Sequence, residues 1–259
     1  FPNINQWNYT FGVSLRRLLS NGYLNLAASR NMFDNRLDRF EDNQEGREEF
    51  RTLGSNSQEI ENKLRLDVNK SLAGWDWSYG GVLQYVKYNN DLFNRLRREV
   101  RSEDGVVLSP ELSIRFNTAI DFVRYGAFIQ VAKRLAEERL TLSAGLRTDM
   151  NTFTDNGQNP LRTLSPCAAL SYQHSNMWRL NASAGRYFKL PIYTVLGYRN
   201  EAGQLTNRTN DYLRSDHLVA GIEGVLSPSS RLTVESFYKR YNNYPVSQRD
   251  GISLANRGG

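Results

Sequence analysis

Cysteine and histidine are almost absent from this chain. Its 259 residues include one cysteine, Cys167, and two histidines, His174 and His217. A single cysteine can form neither an intrachain disulfide nor a cysteine-based zinc centre. The predicted strands place the two histidines at opposite ends of the sheet, so they cannot share a site, and a barrel lipase or protease could use only one of them. We therefore predict no catalytic residue, no metal ligand and no cofactor.

Long apolar runs are also missing. No stretch approaches the roughly 20 apolar residues that a transmembrane helix needs, which excludes a helical membrane protein. A membrane β-barrel stays possible, because its strands place only every second residue in lipid. The net charge of +6 arises from mixed basic and acidic residues, and without a basic face we expect no nucleic-acid partner. No signal peptide is expected within the chain, since Phe1 is followed by neither a charged n-region nor an apolar h-region.

Apolar and polar side chains alternate along much of the chain. On both sides of the turn at Ser175 and Asn176, small or apolar residues alternate with polar ones, which is typical of β-strands. A soluble β-sandwich shows the same period, so alternation alone does not place these strands in a membrane. In the second strand one face carries Trp178, Leu180, Ala182 and Ala184, and the other carries Arg179, Asn181, Ser183 and Gly185.

The same pattern predicts ten strands with connections of unequal length. Long segments follow every second strand, at 31–58, 88–119, 154–162 and 190–215 and from 244 onward, and the other connections are short turns such as Ser20-Asn21-Gly22. Outer-membrane barrels have short periplasmic turns and longer extracellular loops, whereas a soluble meander has no reason to put all its length at one end. The predicted strands are 7–18, 23–30, 59–70, 75–85, 121–133, 139–153, 163–174, 177–189, 216–226 and 231–241.

Several runs of sequence resemble one known family. They are NPLRTLSP, LSYQ, NASAGRYFKLPIYTVLGYRN, SRLTVESFYKRYNNYPVS and DGISLANRGG. From Asn159 to the end of the chain they closely resemble the C-terminal barrel half of TonB-dependent outer-membrane receptors, in the form common among Bacteroidetes-type bacteria. The resemblance implies a barrel of about 22 strands around an internal plug domain, and active uptake of scarce nutrients across the bacterial outer membrane.

The fold class that we predict is therefore all-β, an antiparallel up-and-down transmembrane β-barrel. An open sheet edge in lipid leaves costly unpaired backbone groups, so ten strands must either close on themselves or belong to a larger barrel. The resemblance implies the second: residues 1–259 would form about ten strands of a larger barrel, without the plug. The resemblance implies outer-membrane lipid, the TonB complex acting through the missing N-terminal plug, and a small-molecule or oligosaccharide ligand as partners. Ferric siderophores, haem, cobalamin and oligosaccharides are all candidate cargoes. A passive porin or structural outer-membrane protein is the first alternative, and a soluble β-sandwich is the next.

Candidate functional residues follow from the alternation. Leu142→Arg on the predicted lipid face should block assembly, whereas Arg139→Leu should be tolerated. An oxygen-ligand calcium loop near Asp149 and Asp155 is a weaker alternative to a polar turn. Tyr9, Tyr85 and Tyr187 are expected in one aromatic girdle toward the long-loop end, and the aromatics of a second girdle, at the periplasmic interface, are Trp75, Trp178 and Tyr172. A basic loop cluster consists of Arg95, Arg97, Arg98 and Arg101. It is either a solvated loop or a site for an anionic ligand or lipopolysaccharide phosphates. The predicted lumen-facing residues are Glu59, Glu61, Lys63, Arg65, Asp67, Arg139, Arg147, Arg179 and Asn181.

Overall fold

A single antiparallel sheet dominates the computed structural model, which describes residues 2–200 and 202–245. Within these residues the sheet has ten strands in the order β1-β2-β3-β4-β7-β8-β9-β10-β11-β12, so each strand pairs with its neighbours along the chain. A separate two-stranded ribbon is formed by β5 and β6. The strands are β1 (Asn3–Leu19), β2 (Gly22–Phe40), β3 (Arg51–Leu72), β4 (Trp75–Arg97), β5 (Val100–Arg101), β6 (Val107–Ser109), β7 (Leu112–Leu135), β8 (Leu140–Asn151), β9 (Ser165–Gln173), β10 (Trp178–Lys189), β11 (Leu213–Ser227) and β12 (Ser230–Asn242).

This topology confirms the predicted partial up-and-down barrel. Within residues 2–200 and 202–245, β1 and β12 lie at opposite ends of the sheet and the barrel is not closed. The one α-helix of the described chain is α1 (Tyr193–Leu196), and none of the described helices is long and apolar enough to cross a membrane. Short turns occupy 20–21, 73–74, 136–139, 174–177 and 228–229, and longer connections occupy 41–50, 98–111, 152–164 and 190–212. The connection predicted after residue 244 lies almost entirely outside the described residues.

Two of the predicted long loops are wrong. Most of 31–58 and of 88–119 is strand, so that β2, β3, β4 and β7 are each about twice as long as a bilayer requires. The halves of these strands nearer the long connections carry polar residues on both faces. The alternation that reveals a lipid-facing strand is therefore absent there. Backbone pairing continues nonetheless, supported by polar contacts such as the 3.2 Å hydrogen bond from Gln58 Nε2 to Asp34 Oδ2.

The register separates an apolar face from a polar face, because directly paired residues lie on the same side of a sheet. One row across three strands is Tyr79, Ile129 and Leu146. A row on the opposite face contains Asp67 of β3, Phe128 of β7 and Arg147 of β8. The first row belongs to a continuous apolar surface, which we call the outer face, and the second belongs to the inner face.

The aromatic residues divide between these faces. Trp75, Trp178 and Tyr172 lie on the outer face beside short turns, and their position at a membrane interface stays a prediction. Tyr187 lies toward the long-loop end, but the expectation that it belongs to an outer aromatic girdle is wrong. It is on the inner face, where its ring centroid is 4.9 Å from that of His217. The backbone alternation of β10 decides this, since Tyr187 and Trp178 differ by an odd number of residues.

The first hairpin depends on a glycine. The turn residues are Ser20 and Asn21, and Gly22 is already paired with Leu19 at the start of β2. Gly22 has a φ of +155°, and a Cβ atom there would overlap the backbone carbonyl of Asn69 on β3.

We expect Gly22→Ala to destabilise the hairpin by about 2–4 kcal/mol, because overpacking of this kind costs about 1–3 kcal/mol and an unfavourable φ adds to it. Gly46→Ala is the matched control, since Gly46 also has a positive φ but has no atom within 4 Å of the added Cβ. Urea unfolding of the receptor in detergent measures both variants. Equal destabilisation by the two substitutions would contradict the steric account.

Candidate functional site

A long connection folds back onto the inner face at the long-loop end of the sheet. We call residues 190–200 and 202–212, which include α1, the inward segment. The buried side chains of Leu190, Tyr193 and Leu196 from this segment pack against inner-face residues of β4 and β7. The ring centroid of Tyr193 is 5.8 Å from that of Tyr88 and 5.7 Å from that of Phe122. The contact with Phe122 is edge-on. The covered strand residues are Val86, Tyr88, Ile120 and Phe122.

This inner apolar patch was missed by the sequence reasoning. By alternation Val123 belongs to the lipid side of its strand and Phe122 to the polar side, where an apolar ring is not expected. The available signal was a pair of adjacent apolar residues, Phe122-Val123 and also Tyr85-Val86, which indicates that both faces of the strand are covered.

Polar contacts fix the inward segment as well. The Tyr193 hydroxyl donates to Glu61 Oε1 at 2.9 Å and accepts from Arg124 Nη1 at 3.1 Å. The hydroxyls of Tyr88 and Thr194 are 2.8 Å apart. Burial, opposed in part by Arg124, raises the pKa of Tyr193 far above its usual value, so its hydroxyl keeps its proton at physiological pH. Tyr193 thereby joins a carboxylate of β3 and a guanidinium of β7 through one neutral side chain.

A second anchor lies at the end of β8. The fully buried Asn151 accepts hydrogen bonds from the backbone N–H groups of Phe153 and Thr154, both at 2.8 Å, and donates to the Tyr212 hydroxyl at 2.9 Å. Burial raises the pKa of Tyr212. The weaker calcium-loop alternative gains no support, because Asp149 pairs with Arg147 and the described residues contain no cluster of His, Cys, Asp and Glu suited to a metal ion.

We expect Asn151→Ala to lower the free energy of unfolding by about 1–3 kcal/mol for each buried polar partner left unsatisfied. The 152–164 connection would loosen and Tyr212 would lose its partner, so faster amide hydrogen exchange at Phe153 and Thr154 is the measurement. Asn159→Ala is the control, because Asn159 caps only a local turn through the N–H of Leu161. Unchanged exchange in Asn151→Ala would show that Asn151 does not organise this connection.

A cavity of about 260 Å³ lies on the inner face beside the inward segment. It is lined by Lys63, Gln84 and Arg124, three residues paired in sequence across β3, β4 and β7. Gln84 is only 6% exposed, and its amide nitrogen has no hydrogen-bond partner among the described residues. Arg65, Arg147 and Asp149 also line the cavity, so much of its wall is charged.

The predicted lumen residues do not form one site. Glu59, Glu61, Lys63, Arg65 and Asp67 share the inner face of β3, where Arg65 pairs with Asp67. Arg179 and Asn181 are on the same face of β10 but near the short turns, where they contact Gln173 and Ser171. The strand assignment of Arg139 is wrong, because it lies in the 136–139 turn before β8. That the inner-face residues line a ligand path stays a prediction.

The basic cluster is divided between strand and loop. Arg95 and Arg97 lie in the last three residues of the long strand β4, and Arg98 and Arg101 are in the connection beyond it. Three of the guanidinium groups have acidic partners, with Arg95 pairing with Glu111, Arg98 with Glu41 and Arg101 with Glu99. Arg95 also donates to the Glu49 carbonyl oxygen at 2.8 Å. These contacts join the 41–50 and 98–111 connections, which leaves less free charge for an anion than the sequence suggests.

Comparison with known proteins gives one family. A family model described as TonB dependent receptor-like, beta-barrel, matches residues 1–258. No curated protein matches the sequence. The narrower resemblance to the Bacteroidetes-type form stays a prediction.

Similar solved structures are named as receptors or transporters. The ferric enterobactin receptor PfeA from Pseudomonas aeruginosa is 17% identical with a TM-score of 0.63, and the match covers 92% of this chain and 35% of the PfeA chain. The copper transporter OprC is 15% identical with a TM-score of 0.62, covering 90% and 38%. The siderophore receptor PirA from Pseudomonas aeruginosa is 15% identical with a TM-score of 0.60, covering 97% and 44%. The chain therefore spans less than half the length of these structures, and at such identities the likeness shows the fold alone.

Proposed function

Because this chain belongs to the TonB-dependent receptor-like β-barrel family, we propose that it forms part of the wall of an energised importer in the bacterial outer membrane. The single observation that carries this proposal is the family match over residues 1–258. The sheet supports it, since an apolar outer face and long connections at one end are the features of an outer-membrane barrel.

The proposed importer binds a scarce nutrient outside the cell and passes it through the lumen when the inner-membrane TonB complex acts on a plug domain. The chain would supply the lumen wall, the inward segment and part of the extracellular loops. The partners that we propose are outer-membrane lipid, a plug, the TonB complex and a small ligand, and we expect no catalytic activity.

A ferric siderophore is the first cargo to test. Similar structures are named for ferric enterobactin, siderophore and copper, and low identity prevents any of these from being assigned directly. Haem, cobalamin and oligosaccharides stay as further candidates.

Liposome swelling separates the importer from a passive porin. Purified full-length receptor should admit no arabinose at a measurable rate, because a plugged barrel leaves no open channel. A general porin of the same species, reconstituted at equal density, is the positive control. Steady swelling with the receptor would indicate a passive pore and would overturn the proposal.

A further inference from the structure

Three hydrogen-bond donors lie side by side on the inner face. Lys63 of β3 is directly opposite Gln84 of β4, and Gln84 is directly opposite Arg124 of β7. Directly opposed residues share a face, with Cβ atoms about 4.5–5.5 Å apart. An ammonium, an amide and a guanidinium group therefore line one wall of the 260 Å³ cavity. We call these three residues the donor row.

The donor row lacks an acceptor. The amide nitrogen of Gln84 is buried and unpartnered, and Lys63 has no ion pair or hydrogen bond within the described part of the chain. Among the described residues Arg124 forms one hydrogen bond, to the neutral hydroxyl of Tyr193, and it is also attracted to Glu59 of β3. A buried donor without an acceptor is unfavourable, so an incoming acceptor group would be bound with a gain.

Three of the nearby carboxylates are already engaged. Asp67 pairs with Arg65, Asp149 pairs with Arg147 at 2.6 Å, and Glu61 accepts the Tyr193 hydroxyl. Glu59 is not engaged in this way by any described residue, but it lies beyond Glu61 on β3, and the donor-row charge that acts on it is that of Arg124. The unfilled acceptor position is thus suited to a negatively charged group from outside the sheet.

A glycine keeps the cavity open beside the donor row. Gly126 follows Arg124 on the same face of β7 and lines the cavity. A Cβ atom there would be 2.7 Å from the Thr148 carbonyl oxygen and 2.8 Å from Asp149 Oδ1. Any larger residue would therefore disturb the Arg147–Asp149 pair and reduce the space.

We propose that the donor row binds an oxyanion, a carboxylate or a group of similar size and charge, carried by the imported ligand. The cavity is smaller than the roughly 300–1,000 Å³ that holds a whole drug-sized molecule, so it takes one acidic group of a larger ligand. The inference rests on the proposed function for the source of the anion. It identifies the cargo as an acidic molecule that passes Tyr193 along this wall.

Charge-selective labelling tests the proposal on purified full-length receptor. In a Cys167→Ser background, Val82→Cys places a thiol two residues before Gln84, at the next position on the same face of β4. All three donors stay intact. Ser78→Cys is the matched control, lower on the same face, in a row with the uncharged Asn69 and Gln130. We expect a sulfonate-bearing methanethiosulfonate to label Val82→Cys about tenfold faster than a trimethylammonium-bearing one, because a positive cleft concentrates anions. The ratio at Ser78→Cys should be close to one.

Citrate and a charge-removing variant complete the test. Excess citrate should slow labelling of Val82→Cys but not of Ser78→Cys, and adding Lys63→Gln should abolish both the rate ratio and the citrate protection. Equal rates at the two positions, or a ratio that Lys63→Gln leaves unchanged, would overturn the proposal. Absence of labelling at Val82→Cys with either reagent would also overturn it, because another part of the receptor would then cover the donor row. These labelling results concern anion binding at the donor row, and energised uptake is tested by a separate experiment.

Discussion

Replacing Ile129 by arginine should prevent assembly of the barrel, whereas replacing its neighbour Gln130 should not. Ile129 lies on the outer face of β7, 46% exposed within the sheet and opposite Tyr79. The apolar outer positions of β4 run from Trp75 to Tyr85, about the 9–11 residues with which a tilted strand crosses a bilayer. Tyr79 and Ile129 are near the middle of that span. An arginine at the midplane of the lipid face costs about 2–4 kcal/mol.

Gln130→Arg introduces the same side chain at almost the same depth on the inner face, in the row of Ser78 and Gly145. The folded fraction in outer-membrane preparations, read from heat-modifiable mobility on gels, compares the two variants. Leu142→Arg, expected from the sequence to block assembly, should instead have a smaller effect than Ile129→Arg, because Leu142 pairs with Lys133 near the short-turn end rather than at the midplane. Assembly of Ile129→Arg together with failure of Gln130→Arg would show that the faces are assigned the wrong way round.

Replacing Tyr193 by alanine should release the inward segment while the sheet stays folded. The substitution removes the ring contacts with Tyr88 and Phe122 and the hydrogen bonds to Glu61 and Arg124. Loss of a buried aromatic side chain costs about 3–5 kcal/mol. Tyr193→Phe keeps the ring and loses only the hydrogen bonds, so a smaller cost of about 1–3 kcal/mol is expected.

Limited trypsin digestion of the folded receptor measures this release, because the segment contains cleavage sites after Arg199 and Arg208. Cleavage should be fastest in Tyr193→Ala and intermediate in Tyr193→Phe. Ile192→Ala is the control in the same segment, since Ile192 is 59% exposed, and it should cleave like the wild type. Equal resistance of all four proteins would mean that Tyr193 does not hold the segment in place.

Alternation was enough to predict the ten strands and their faces, because lipid on one side and water on the other impose a period of two. It failed where that contrast ends. Residues 31–40 and 51–58 continue as paired strands with polar side chains on both faces, so the sequence there is indistinguishable from a polar loop.

The candidate site was harder to predict than the fold. The charged residues of β3 were identified from their alternation alone, but their neighbours Gln84 and Arg124 come from other strands and depend on register. The inward segment depends on contacts between residues as distant in sequence as Glu61 and Tyr193. Turn signals and periodicity are local, and they carry no information about such packing.

Uptake of labelled ferric siderophores by cells that express the full-length gene, with and without a proton uncoupler, tests the central claim most directly. We expect uptake above that of cells lacking the gene, and we expect the uncoupler to abolish it, because import through this family of barrels would draw its energy from the inner membrane. A parallel panel of haem, cobalamin and oligosaccharides covers the other cargoes. Uptake that depends on the gene but persists at the same rate with the uncoupler would show a passive pore and would contradict energised import.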